Sequence, residues 1–597
     1  MLRLKTFFRS PRAARVLAAL SCLALCLALL PGSALAEESY GISVLGTAVT
    51  SGNCQNVLAG TGYSGTISYD PDTRVLTMDS VSISRAATRW DKVLLIQEEG
   101  VTLRLVGENS ITETSKNSSF ALTSIQAKKG LVIDGSGSLS IQVGSGKSTI
   151  KAIDCTGDLT VKAAALSVQT GNNLKSGDGN CAIWVKNGDF SLTDNASVTA
   201  KTGTAAKDSY GLYITDLFRM DSGLLVVETG DRTTTSSLLN NEAVLAFDGF
   251  DIRGGELRVK AGSAPGGLSA GLMTTSTSAQ SVWIENATLT LQTGEADHSI
   301  PLYSNGTLTI LGSKINASGG KATNDSRAIN IGDQGGKILV KDSTLTLTSD
   351  EALYSVPLYT ADLEIENSSL TAIGGKASLE SYGVSARRFL LKSGEVSLTA
   401  GDAAEWSVGL WTEDAAIQGG NLKIALGQAN GTNAITTAPA FPDFKAVIRA
   451  GSSEADAVPV LNPTEDTFLN SLYIGIVPYT HAHAWSQTWE KNETHHWHAC
   501  TAADCDLTSP EQMDAYEAHV FDQKVVDEAY LISPATTEKK ALYAWSCVCG
   551  AAGEQTFESG ELVPVPPTGD SLLLFALPAL ALAGAGVLLL LRRRKSL

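Results

Sequence analysis

The chain has 597 residues, 43% of them hydrophobic, with 56 Gly but only 14 Phe and 9 Trp. That apolar content argues against disorder, and the scarcity of bulky rings favours thin layers of small and β-branched side chains. The formal net charge of −17 opposes binding to a phosphate backbone, so no nucleic-acid partner is expected.

The first 36 residues carry Arg3, Lys5, Arg9, Arg12 and Arg15 without an acid, then an apolar stretch from Val16 to Leu30 and small residues at Ala34-Leu35-Ala36. This order predicts a secretory signal peptide cleaved after Ala36, since the apolar core is short for a spanning helix. Residues 37–129 then read as an N-terminal cap with the first coils of a repeat. Strands are expected at Val75-Leu76-Thr77-Met78, Val81-Ser82-Ile83 and Val101 to Leu105, but their spacing is irregular, as it is where a terminal unit covers an open edge.

Residues 130–470 repeat one pattern: an alternating apolar strand, a small or polar turn, and a second alternating strand, as in Phe250 to Gly255 followed by Leu257-Arg258-Val259. The last apolar residues of the first strands are Ile133, Val161, Leu192, Met220, Ile252, Ile284, Ile310, Val340, Ile365, Leu391 and Ile417, at intervals of 25–32 residues. The next strand begins its apolar positions five residues later in nine cases and six in two. A third apolar piece separates the units, as in Ala182-Ile183-Trp184-Val185 and Val408-Gly409-Leu410-Trp411. Three strands per unit predict an all-β fold, a right-handed parallel β-helix whose coils stack at about 4.8 Å. The rival, a series of β-hairpins turning at Gly254-Gly255 and Gly419-Gly420, leaves the third strand and the steady period unexplained.

The run Tyr69-Asp70-Pro71-Asp72-Thr73-Arg74-Val75-Leu76-Thr77, with the Ile-x-Gly-Gly-x-Leu-x-Val/Ile units after it, resembles the secreted, carbohydrate-binding-type β-helix proteins of Firmicutes. The resemblance spans about residues 37–450 and implies an extracellular carbohydrate ligand. No enzyme is expected: the galacturonase family combines an Asp-Asp pair, a Gly-His-Gly and an Arg-x-Lys, whereas this chain has no Asp-Asp and its repeat region holds a single histidine, His298. A lyase using Ca²⁺ and a basic side chain stays open as an alternative. Trp184 and Trp283, at alternating strand positions, read as core; Trp411 reads equally as core or as a sugar-stacking ring. The Asn of Asn286-Ala287-Thr288 and of Asn367-Ser368-Ser369 reads as a turn former.

Composition changes after Tyr479. A module over 478–558 holds six of the seven His, in His481-Ala482-His483, His495-His496-Trp497-His498 and His519, and two cysteine pairs, Cys500 with Cys505 and Cys547 with Cys549. It resembles a small module of surface proteins from anaerobic Firmicutes. The four thiols can form a tetrahedral Cys₄ zinc site, or disulfides in an oxidising compartment, or a site in which His496 or His498 replaces a Cys. Cys54, Cys155 and Cys181 read as buried small hydrophobes.

Residues 559–597 contain Val565-Pro566-Pro567-Thr568-Gly569, an uncharged apolar run from Leu572 to Leu591, and Arg592 to Lys595. The apolar run is long enough for a transmembrane helix with its basic end in the cytoplasm. The order resembles the Gram-positive cell-wall sorting signal, with Val565 in place of the usual Leu. That resemblance implies cleavage by a sortase after Thr568, attachment to peptidoglycan and a cell-surface location. Removing both ends leaves 36 basic against 61 acidic residues, a net charge of −25, so an anionic polysaccharide would need a bridging cation such as Ca²⁺ in the β-helix. The leading expectation is a wall-anchored surface protein whose β-helix binds carbohydrate; the alternatives are a stalk or adhesin contacting a protein, and a divergent polysaccharide lyase.

Overall fold

The computed structural model describes residues 37–566 apart from 88–91, 176–178, 278–280, 333–334, 443, 480–481, 503–504, 506 and 508. The signal peptide with Ala36, the sorting residues Pro567, Thr568 and Gly569, and the apolar run 572–591 lie outside the described residues. Val565 and Pro566 are described and exposed. Among the described residues no helix is long and apolar enough to cross a membrane. The chain divides into two units, up to Tyr479 and from Thr480.

The first unit is a parallel β-solenoid of about 12 turns. One coil lays down Leu131–Asp134, Ser138–Val143 and Ile150–Thr156; the next lays down Leu159–Lys162, Ala165–Thr170 and Asn180–Lys186. Each strand pairs in parallel with its counterparts one coil away, which produces three sheets, here first, second and third, around one apolar interior. The hairpin alternative is excluded, because the strands flanking these turns pair in parallel with strands one coil away and not antiparallel with each other. Every position of the Ile133-to-Ile417 series is hydrogen-bonded in register to the next, from Ile133 beside Val161 to Leu391 beside Ile417. All eleven are fully buried, so the 25–32-residue interval is the contour length of one coil. The column extends N-terminally through Leu103 to Leu76, within the segment whose spacing looked irregular.

Two further columns hold the corner between the second and third sheets. A Cβ on Gly230, Gly262 or Gly401 would lie 2.3–2.7 Å from backbone atoms of Gly203, Gly230 or Gly375 in the preceding coil, so only glycine lets the coils approach this closely. Beside it Asn180, Ser209, Asn241, Ser269, Ser299, Ser326, Ser355 and Ser381 are fully buried, one per coil. Ser381 Oγ donates to the Gly375 carbonyl at 2.9 Å and accepts from the Gly401 N–H at 2.7 Å; Ser269 links Gly262 to Gly294 in the same way. These hydroxyls satisfy backbone groups that the bend removes from the sheets. At the opposite corner Asn286 and Asn367 adopt positive φ, which matches their reading as turn formers.

Both ends of the stack are covered by antiparallel strands. Ser39–Val44 pairs with Leu94–Ile96, and Ser64–Asp70 with the start of Val75–Arg85. At the other end Tyr473–Pro478 pairs with Asn421–Leu426 and Ala446–Gly451, and the short helix Glu465–Asn470 places Phe468 in the core. The antiparallel strands interrupt the coil-upon-coil template that would otherwise recruit another chain.

The second unit contains two three-stranded antiparallel sheets: Trp485–Lys491, His495–Cys500 and Asp514–Ala518, then Leu531–Ser533, Ala541–Ser546 and Ala552–Ser559. Among its described residues only Ala541, Ala544, Cys547, His496 and Ser546 are buried.

The glycine column yields a stability prediction. Gly262→Val should destabilise the solenoid by about 1–3 kcal/mol through overpacking, whereas Thr290→Val on an outward strand position should be near neutral. Thermal unfolding followed by circular dichroism checks both; a Gly262→Val midpoint equal to the parent's would show that the corner relaxes freely.

Candidate functional site

Side chains that alternate outward from the third sheet form columns of their own. One column runs Tyr303, Asn330, Tyr359, Ser385 and Trp411, each paired with the next. Aromatic rings therefore occur on alternate coils, about 9.6 Å apart at two coil spacings, with a short polar residue between them. Tyr359, Ser385 and Trp411 line a cleft of about 220 Å³ together with Arg387, Glu413, Thr360, Ala361 and Gly332. That is smaller than a drug-sized pocket of about 300–1,000 Å³ and suits a single ring. Arg327 lies over the Tyr359 ring, 4.4 Å from its centroid, and its guanidinium is held by Asp325, which also accepts from His298 Nδ1 at 2.8 Å. Hydrogen bonding to Asp325 raises the His298 pKa against the opposing effect of burial.

The remaining tryptophans divide by what covers them. Trp184 and Trp283 are not core: their neighbours Ile183, Val185, Val282 and Ile284 take the interior positions, and both rings face outward. Trp184 lies between Lys151, 3.7 Å from its centroid, and Tyr213, stacked at 4.0 Å. Trp283 lies beneath Arg253 and donates to Glu285. Trp406 is 43% exposed, and Trp411 is half-buried at the cleft.

A larger depression of about 340 Å³ lies on the outer face of the first sheet, lined by Lys337, Asp362, Glu364, Arg388 and Asp414. Lys337 and Lys392 bond to Glu364, and Arg388 to Asp362, so most of its charges are paired, and its lining has no Trp or Tyr. The Tyr359–Trp411 cleft has the better chemistry for stacking on a neutral ring.

The cysteines expected as one Cys₄ set are not together. Cys547 and Cys549 join His496 and His519, and Cys500 and Cys505 join His483; within each group the candidate ligand atoms lie within 4.8 Å of one another. The physical reason is the pairing of the strands. Cys500 ends the strand paired with Trp485, which places it near His483, whereas Cys547 and Cys549 sit in the turn after Ala541–Ser546. Of the two histidines weighed as alternatives to a Cys, His496 lies in the first group, whereas His498 is in neither and stacks on Trp489 at 3.8 Å. His519 was missed, because no cysteine lies near it in sequence. Either group can hold a metal ion, and among the described residues both lie in the second unit rather than in the solenoid, where a Ca²⁺ site is the expectation. Burial pushes the Cys547 thiol up, but the N–H groups of Cys549 and Val520 together with His519 outweigh it, and the net shift is downward. Burial raises Cys549 and lowers His496. Cys54, Cys155 and Cys181 are buried, as expected of small hydrophobes.

One buried acid was also missed. Glu242, next to Tyr210 on the third sheet, is 3% exposed; Asn240 donates to one oxygen at 2.8 Å and the other has no partner. Burial pushes its pKa up to about 7. A carboxyl whose folded pKa exceeds its unfolded value binds protons more tightly when folded, so stability should fall as pH rises from about 4.5 to 7. Glu242→Gln should therefore stabilise the solenoid at pH 8.5, by up to about 3 kcal/mol, and leave it nearly unchanged at pH 4. Paired melting curves at the two pH values check this; an equal effect at both would contradict it.

A family model described as "Carbohydrate-binding domain-containing protein" matches residues 46–326, which take in the N-terminal cap after its first strand and the solenoid coils up to Ser326. No curated protein and no solved structure matches the chain. Its solenoid is thus similar to a carbohydrate-binding-type β-helix.

Proposed function

We propose that the solenoid is the carbohydrate-binding part of a surface-displayed protein and that the Tyr359–Ser385–Trp411 cleft is its principal sugar site. The observation that carries this reading is the alternation of aromatic and short polar side chains along one outward column. Two rings two coils apart offer apolar faces on either side of a pyranose, and Ser385, Arg387 and Glu413 supply donors and acceptors for its hydroxyls. The column repeats every second coil, so Tyr303, Tyr359 and Trp411 recur at the same interval along the axis. The family match, which ends at residue 326, supports the class of ligand; the cleft lies C-terminal to it.

In this reading the protein binds without cleaving; among the described residues that line the cleft, Glu413 is the one carboxylate, whereas glycoside hydrolysis uses a pair. In this reading the signal peptide ending at Ala36 exports the chain. The span 572–591 then holds it until a sortase cleaves after Thr568 and joins it to peptidoglycan, leaving the solenoid outside the cell. The net charge of the exposed chain favours neutral glycans, or uronates bridged by Ca²⁺.

A glycan array probed with the protein, with and without Ca²⁺, identifies the ligand; titration with the best oligosaccharide then tests the site. Trp411→Ala should weaken binding about tenfold, the equivalent of one aromatic contact, while Trp283→Ala should leave it unchanged. Absence of binding to any glycan would favour a stalk or adhesin, and a rise in absorbance from unsaturated uronides would favour a lyase.

A further inference from the structure

The second unit is short of apolar core. Among its described residues the buried set is two alanines, Ser546, and two members of one His/Cys group, His496 and Cys547. The most enclosed place in the unit is therefore a cluster of ligand atoms. Units of this size that cannot bury enough apolar surface are stabilised by a metal or by disulfides.

The geometry of the group favours a metal. His496 Nδ1 lies 3.7 Å from Cys547 Sγ, and His519 Nδ1 lies 3.3 Å from Cys549 Sγ. In a tetrahedral zinc centre with Zn–S near 2.3 Å and Zn–N near 2.0–2.1 Å, a sulfur and a nitrogen ligand are about 3.6 Å apart. The other ring nitrogen of His519, Nε2, is 3.0 Å from the Asn492 carbonyl, so it carries the proton and Nδ1 presents a lone pair. Cys547 and Cys549 occupy a tight turn in which the Gly550 N–H donates to the Cys547 carbonyl and Gly550 takes positive φ. Lys491, on the strand beside His495–Cys500, donates to the Gly550 carbonyl at 2.7 Å and holds this turn against the first small sheet.

We infer that His496, His519, Cys547 and Cys549 form a His₂Cys₂ zinc site that joins the two small sheets of the second unit and is a condition of its folding. His496 and His519 come from the first sheet and its exit, and the two thiolates from the turn of the second, so one ion crosses between them. Binding displaces the thiol protons to solvent and involves no redox change.

The full chain, purified under reducing conditions without chelator, is assayed for zinc per chain by elemental analysis. It is compared with Cys547→Ser/Cys549→Ser and with His498→Ala. The double variant should hold one equivalent less than the parent, and His498→Ala should hold the full amount. Cobalt substitution should give the visible spectrum of two thiolate ligands rather than four. Because the double variant could misfold for other reasons, the parent chain is also treated with a strong chelator. Limited proteolysis should then cut within 482–566 while the solenoid stays intact, and readdition of zinc should restore protection. Zinc content unchanged in the double variant would overturn the inference, as would a zinc-free parent.

Discussion

In-register stacking is the constraint on which the solenoid depends. A coil satisfies its strand amides only through the coils above and below, so whatever occupies a position must be compatible with the same position one coil away. Inside, this selects a column such as Ile252, Ile284 and Ile310, whose side chains fill the lumen without large rings. At one corner it selects glycine, since Gly230 and Gly262 have backbone where a Cβ would be. Beside the glycines it selects small polar groups such as Ser269 and Ser381, which return hydrogen bonds to the bent chain. The same rule acts outside, where side chains one coil apart become neighbours and rings two coils apart become opposite walls of a slot.

Much of this was legible in the sequence because it is periodic. The eleven residues from Ile133 to Ile417 recur with nearly constant offset to the following strand, and they are one physical column. The buried polar ladder is equally periodic, but a Ser or Asn opening a strand resembles an ordinary turn residue unless its burial is known. Trp184 and Trp283 were misread for a related reason. Alternation says which positions share a face, and it does not say that a large ring will be kept out of a lumen already filled by Ile, Val and Leu. The cleft at Tyr359 and Trp411 was invisible because its walls are 52 positions apart and meet only through the stacking of coils.

The His/Cys module is the opposite case. It has no period, and its composition announced chemistry without revealing geometry. The four cysteines suggested a single set, whereas strand pairing sorts them into two groups with different histidines. His519 enters the set by tertiary placement alone. The two units differ in what they bury: the solenoid has a long continuous apolar core, whereas two of the five buried residues among the module's described ones, His496 and Cys547, belong to a His/Cys group.

The central claim is that the aromatic slot of the third sheet recognises sugar. A crystal structure of the protein with the oligosaccharide that it binds most tightly tests this directly. The account requires a sugar ring between Tyr359 and Trp411, above Ser385, with hydroxyls bonded to Arg387 or Glu413. A sugar seated instead on the ion-paired face of the first sheet, with the slot vacant, would contradict it.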